Sequence, residues 1–324
     1  MRLILLGSGE FGIPTFEHLV TACGHEVAAV VTQPDRPAGR KRVLTATPVG
    51  QWAASRGLTV FRQEDVNAPA FVQTLGRLHA DASVVIAFGQ KLSPDLIAVL
   101  GRLAVNLHGS LLPRHRGASP VHAALLAGDH EAGVSVIGLA QRMDAGEVYA
   151  TASLTIERTE TAGELHDRLA QLGGQIMHKV LNDLADDRLT PIPQNDAHAT
   201  RAPKLSKADG WVDFRDDCFR VMRRIHGLNP WPGVRVRWCK PDGTEHDLIL
   251  RRVIDLPDLS CFLPAGGKRE PGPGTVMEGL KVACGDGAVR LLELQLPGGR
   301  AMDAEAFARG HGLGPGDRLV SHRP

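Results

Sequence analysis

The sequence predicts an α/β chain, with a mostly parallel sheet in its first part and a smaller β-rich domain behind it. Three observations carry this. Short apolar runs alternate with helix-spaced segments over residues 1–187. A polar, proline-bearing stretch, RLTPIPQNDAHATRAPKLS at 188–206, then breaks the pattern and reads as a linker. From 207 to 324 short strand-like runs follow one another between turn sequences. A chain of 324 residues is also long for one hydrophobic core, which agrees with two domains.

Taken in order, residues 3–6, 27–31, 84–87 and 104–107 are apolar throughout, as strands buried on both faces are. Between them, 13–22, 48–56 and 68–78 carry helical spacing. Strands are expected at 134–139 and 147–154. A long amphipathic helix is expected at 161–185, through Leu165, Leu169, Leu172, Ile176, Val180 and Leu184. Together these make a Rossmann-like sheet covered on both sides. Beyond the linker, a helix at 216–225 precedes strands at 234–238, 247–253, 274–277, 279–283 and 288–294, with PDG and GDG turns among them. Such short strands suit a small β-barrel, and an OB-like fold is one candidate. Residues 257–273 read as a loop within this domain.

Composition narrows the classes. Hydrophobic residues make up 43% and charged residues 23%, and the net charge of +1 means that any basic surface is local. The five cysteines form no CxxC and no Cys/His cluster in sequence, so neither a disulfide framework nor a metal site is expected. The opening MRLILLG is too short for a signal peptide or membrane span, and a cytoplasmic protein is expected. After the first strand, GSGEFG places Gly7, Gly9 and Gly12 in the G-x-G-x-x-G pattern. The acidic residue that grips a ribose at the end of strand two is missing, with Thr32 and Gln33 in its place. The glycines then serve a tight strand-to-helix turn, and no NAD is expected.

The chemistry concentrates in VNLHGSLLPRHRGASP at 105–120. Asn106 and His108 lie two apart near a strand end, where α/β sheets open onto their ligand crevice. Asp144, in QRMDAGE, follows another strand on a tight turn and can support an imidazole. Ser110 lacks a nucleophile elbow, and the set is thin for a metal. Acyl transfer without a protein nucleophile fits best, with Asn106 and His108 as donors to an oxyanion. His115 and Arg116 are read as residues of the cleft rim.

NLHGSLLPRHRGASP, with MDAGE further along, resembles the folate-dependent formyltransferases. That resemblance implies that Asn106, His108 and Asp144 form the catalytic trio around 10-formyltetrahydrofolate. It also implies folate contacts at Ser110, Leu111, Leu112 and Pro113, and at Phe88, Gly89 and Gln90. The trio fixes the reaction and leaves the acceptor open. A second likeness bears on the acceptor. The loop TQPDRPAGRKRVLTATPV, with Arg36, Arg40, Lys41 and Arg42, is similar to the insertion by which the tRNA-acting members engage initiator tRNA. KLSKADGWVDF, IHGLNPWPG and GLGPGDRL look like the extra domain of the same members, with Lys207 a further tRNA contact. The implied partner is initiator methionyl-tRNA, the implied assembly a monomer, with no membrane and no metal. Trp211 and Trp231 are read as core residues, and the arginines between Arg215 and Arg252 as a basic surface.

Overall fold

The computed structural model describes residues 1–39, 42–257 and 271–321, so Arg40, Lys41 and most of the 257–273 loop lie outside the described residues. The chain divides into two compact units. The first comprises Met1–Pro120, Glu131–Thr155 and His166–Ala202; the second comprises Val121–His130, Ile156–Leu165 and the chain from Pro203 onward.

In chain order the elements up to the end of the first unit are β1 (Arg2–Gly7), α1 (Ile13–Thr21), β2 (Glu26–Thr32), β3 (Arg36–Ala38), β4 (Val43–Thr45), α2 (Pro48–Ser55), β5 (Val60–Arg62), α3 (Pro69–Gly76), β6 (Ala82–Ile86), α4 (Pro94–Ala98), β7 (Leu103–His108), β8 (Arg116–Gly117), α5 (Pro120–Ala127), β9 (Glu131–Gly138), β10 (Val148–Thr155), α6 (Ala162–Ala185) and β11 (Arg201–Ala202). The main sheet runs β10-β9-β7-β6-β1-β2-β5. Strands β7, β6, β1, β2 and β5 are parallel, and β9 and β10 add an antiparallel edge. Leu3, Ile4, Leu5 and Leu6 of β1 and Val84 and Ile86 of β6 are fully buried. This is why these strands read as continuous apolar runs and not as alternation. Thr47 and Ser93 start α2 and α4 by accepting from the N–H of Gly50 (3.0 Å) and Leu96 (3.2 Å), each with proline just inside the helix.

Three features depart from the sequence reading. Strand β5 and helix α4 are too short to show a period. The basic loop contains a hairpin, β3 with β4, whose Val43 and Leu44 are exposed. The stretch read as a linker is hydrogen-bonded into the first unit through Ala202: Ile192 exchanges two 2.9 Å bonds with Val148, and β11 pairs in parallel with β8.

The second unit contains α7 (Cys218–Gly227), β12 (Val234–Cys239), β13 (Glu245–Leu256), β14 (Val276–Met277), β15 (Lys281–Ala283), β16 (Ala288–Gln295), β17 (Ala301–Asp303), α8 (Ala304–His311) and β18 (Arg318–Ser321). Its sheet is antiparallel in the order β14-β15-β16-β13-β12-β18, with β17 on β16. Residues in and next to the first and last strands also bond: Val276 N–H to Asp317 O (2.8 Å), Gly316 N–H to Val276 O (2.9 Å) and Leu319 N–H to Gly274 O (2.8 Å). Trp238 is buried in this core, its indole N–H donating to Asp317 Oδ2 at 2.8 Å. Trp231, expected in the core, is instead 46% exposed, and Trp211 is half-buried beneath the Arg224 guanidinium at 4.1 Å. Several of the arginines read as a basic surface are paired with acids: Arg215 with Asp213, Arg220 with Asp216, Arg237 with Glu245 and Asp247, and Arg252 with Glu164.

Candidate active site

Adjacent parallel strands β6 and β7 deliver the 88–90 and 110–113 segments to the same edge of the sheet, the carboxyl edge. The glycine-rich turn after β1 lies beside the first of them. The N–H groups of Ser8 and Gly9 both donate to Ala87 O at 3.3 Å, and the absence of a side chain at Gly7 admits the Phe16 ring. Close packing therefore accounts for this turn. Phe88 is buried in the core, and its carbonyl accepts from Ser8 Oγ (3.1 Å) and Gln33 Nε2 (3.0 Å). The Gln90 side chain donates to Gln63 O at 2.8 Å and accepts from Val66 N–H at 3.3 Å. Gly89, between them, has a φ of +83°. What this segment offers a ligand is thus backbone and a glycine surface.

Ser110 and Leu112 are held from the neighbouring strand. Ser135, which pairs with His108 across β7 and β9, donates to Ser110 O at 2.7 Å and accepts from Leu112 N–H at 3.1 Å. Ser110 Oγ in turn donates to Arg114 O at 2.7 Å. The Leu112–Pro113 peptide is cis, and Leu111 packs close to Gly133.

Asn106 and His108 lie on one face of β7, as their spacing dictates. His108 is 6% exposed, and both of its ring nitrogens face protein oxygens. Nε2 donates to His115 O at 3.0 Å, which assigns its hydrogen. Nδ1 lies 3.6 Å from Asp144 Oδ1, longer than a hydrogen bond. Asp144 occupies the turn between β9 and β10 with φ +53°, and its Oδ2 accepts from Gly117 N–H at 2.9 Å. One carboxylate oxygen is therefore fixed and the other faces the imidazole. That turn needs glycine at 146, because a Cβ there would run into the Gly138 carbonyl oxygen. Gly117, with φ +129°, similarly lies against the backbone of Ala202.

The segment read as a linker completes the frame. Gln194 Nε2 donates to the carbonyls of Asp144 (2.9 Å) and Gly146 (2.6 Å), and its Oε1 accepts from Arg116. Arg116 also pairs with Asp196 at 2.8 Å. The Asp196 carboxyl is held below its usual range by Arg142 and Arg116 together. Thr200 Oγ1 accepts from His115 N–H at 2.8 Å. His115 is 6% exposed and its φ is +58°, so it is a buried support of His108 and not a rim residue. Sequence reasoning missed Gln194, Thr200, Ser135 and the His115 carbonyl. Polar residues in an aperiodic stretch were the only trace that Gln194 and Thr200 left, and a backbone acceptor leaves none.

Of the residues expected to touch tRNA, Arg36 and Arg42 lie on the exposed β3–β4 hairpin, with Arg36 donating to Gln33 Oε1 at 3.3 Å. Lys207 is exposed in the second unit, where Ser206 and Asp209 cap its short turn.

Residues 1–181 match the formyl transferase family, and residues 204–312 match the formyl transferase C-terminal domain; the chain belongs to this family. Within it, the chain is 39% identical to the methionyl-tRNA formyltransferase of Methylococcus capsulatus, over 98% of this chain and 99% of that one. It is 38% identical to the methionyl-tRNA formyltransferase of Heliobacterium modesticaldum, over 98% of this chain and 100% of that one. Among solved structures the fold is similar to an N-formyltransferase from Helicobacter canadensis in complex with folinic acid and dTDP-3-aminofucose. There the TM-score is 0.63 at 12% identity, covering 89% of this chain and 97% of the other. HypX from Aquifex aeolicus, in complex with tetrahydrofolic acid, superposes with a TM-score of 0.59 at 16% identity, over 95% of this chain and 46% of the other.

Proposed function

We propose that the chain transfers the formyl group of 10-formyltetrahydrofolate to the α-amine of initiator methionyl-tRNA. The observation that carries the chemistry is the placement of His108 between the His115 carbonyl and Asp144, beside Asn106, at the carboxyl edge of the sheet. The acceptor rests on the near-full-length likeness to methionyl-tRNA formyltransferases.

The amine lone pair attacks the formyl carbon, and the carbonyl oxygen becomes an oxyanion. Asn106 donates to it through its amide. His108 donates through Nδ1 as the doubly protonated ring, since Nε2 and its hydrogen are committed to His115 O. Asp144 Oδ1 takes the proton that the amine loses. The oxyanion collapses to the new formyl carbonyl and expels N10 of tetrahydrofolate, which takes up the proton held by Asp144, so that charge and atoms balance. Fixing Asp144 through Oδ2 spares the reorganisation that a free carboxylate needs as charge develops.

The 88–90 and 110–113 segments hold the folate between the ends of β6 and β7. Arg36, Arg40, Lys41 and Arg42 bind phosphates of the acceptor arm, and Lys207 adds a contact from the second unit. The antiparallel sheet of that unit acts as an OB-like barrel, a reading supported by the bonds between residues 274–276 and 316–319. Among the described residues no helix is long and apolar enough to cross a membrane. The reading places the enzyme in the cytoplasm as a monomer, with its folate and tRNA substrates. The test is incubation with 10-formyltetrahydrofolate and charged initiator tRNA, with an amino-sugar nucleotide as the rival acceptor. Formyl-methionine from the tRNA alone supports the proposal, and formylation of the sugar alone overturns it.

A further inference from the structure

On the amino edge of the same sheet, away from the strand ends that carry Asn106 and His108, the chain between α1 and β2 meets α6. It brings together Cys23, His25 and His178, three residues the reaction does not use. One ligand atom from each lies within 4.8 Å of the others. All three side chains are half-buried. His25 Nδ1 lies 3.4 Å from the Met1 amine, and His178 Nε2 lies 3.0 Å from Asn182 Nδ2. The other nitrogen of each ring, His25 Nε2 and His178 Nδ1, is buried without a hydrogen-bond partner among the described residues. A buried ring nitrogen left unpaired costs free energy unless something occupies its lone pair. His18 adds a third imidazole nearby, its ring centroid 6.1 Å from that of His178.

We propose that Cys23 Sγ, His25 Nε2 and His178 Nδ1 bind a borderline-soft divalent transition metal, Zn2+ before others, with water in the fourth position. One sulfur and two imidazoles form a donor set suited to that ion. Bond lengths of about 2.0–2.3 Å in a tetrahedron put ligand atoms roughly 3.3–3.8 Å apart, so binding draws the three inward by about 1 Å. The Cys23 thiol gives up its proton to solvent on binding. For His178 to coordinate through Nδ1 its Nε2 must donate, and Asn182 then accepts through its amide oxygen after a half-turn of the amide. Sequence spacing hid the site, because Cys23 and His25 meet His178 only through the fold.

The site clamps the connection after α1 to α6 and lies outside the reaction path. Full-length protein stripped with a chelator is titrated with Zn2+ and, separately, with Co2+. The proposal expects one Zn2+ per chain, a thiolate-to-cobalt charge-transfer band, and a melting temperature raised by Zn2+. Cys23→Ser abolishes the band, and Cys23→Ser, His25→Gln and His178→Gln each weaken Zn2+ binding more than about tenfold. Cys239→Ser, at a half-buried thiol in the second unit, leaves all three readouts unchanged. Wild-type protein without the charge-transfer band, or Cys23→Ser and His178→Gln variants binding Zn2+ as wild type does, would overturn the proposal.

Discussion

At the scale of single residues, the imidazole of His108 is set by backbone as much as by side chains. The His115 carbonyl holds the hydrogen on Nε2 and leaves Nδ1 for the substrate, and Gly117 fixes which oxygen of Asp144 faces the ring. His108→Ala removes one donor to the oxyanion and should lower kcat about 100-fold or more with little change in folate binding. Steady-state kinetics check this, and near-wild-type turnover would contradict it. Gly146→Ala forces a methyl group against the Gly138 carbonyl and should cost about 1–3 kcal/mol, displacing Asp144 as it does so. Denaturant melts measure the loss, and an unchanged midpoint would show that the turn can yield. The meeting of His108 with Asp144, beside Asn106 on the same strand face, was legible in the sequence because strand spacing, a Gly-bearing turn and a family pattern coincide there. Gln194 and Thr200 were not, since a stretch with proline and no period carries no sign of what it packs against. Trp231 shows the converse: an aromatic in an aromatic-poor chain read as core and lies at the surface.

At the scale of elements, the long or strongly patterned ones were readable. Helix α6 and the buried strands β1, β2, β6 and β7 follow from period and continuous apolarity. Strands β8 and β11, two residues each, exist only because the 116–117 and 201–202 segments pair with one another. The β3–β4 hairpin read as a charged loop, because the cation run masks two short extended pieces. Replacing Arg36, Arg40, Lys41 and Arg42 together with Ala should weaken tRNA binding and reduce its salt slope by about 1 for each phosphate no longer neutralised. An unchanged slope would mean that the hairpin does not meet the phosphates. In the second unit, burial and the nearby Arg252 push His226 down to about 4, and its Nε2 accepts from Val253 N–H at 3.2 Å. Unfolded, this histidine takes a proton near pH 6.5. Its lowered value contributes stability that is complete above about pH 6.5 and is lost as pH falls towards 4, roughly 3 kcal/mol in all. Glu164 acts in a lower window. Burial alone raises its carboxyl, but Arg252 and Thr161 outweigh that and hold it at about 2. Its contribution is therefore present above about pH 4.5 and fades towards 2. Urea melts across pH should show the first loss in wild type and a flatter profile between pH 6.5 and 4 in His226→Gln. Equal slopes would remove His226 from the account.

At the scale of the whole molecule, the order of layers followed from the sequence: an α/β unit with a parallel-dominated sheet, then an antiparallel one. What did not follow was the partition of the chain. Residues 121–130 and 156–165, early in sequence, belong to the second unit, while 188–202 belong to the first. Local pattern cannot report such exchange, because it is decided by which distant surface a segment packs on. Asn106, His108 and Asp144 all fall in the first unit, and the residues proposed to meet tRNA are shared between the hairpin and Lys207. The chemistry and the choice of acceptor are thus separable by mutation, and one measurement bears on both. Single-turnover formylation of methionyl initiator tRNA by wild type and Asp144→Asn, at saturating 10-formyltetrahydrofolate, tests directly whether this carboxylate takes part in formyl transfer to tRNA. The expected result is formyl-methionyl-tRNA with wild type and a transfer rate lower by about 100-fold or more with Asp144→Asn, tRNA affinity being retained. No formyl-methionine with wild type, or equal rates for the two proteins, would contradict it.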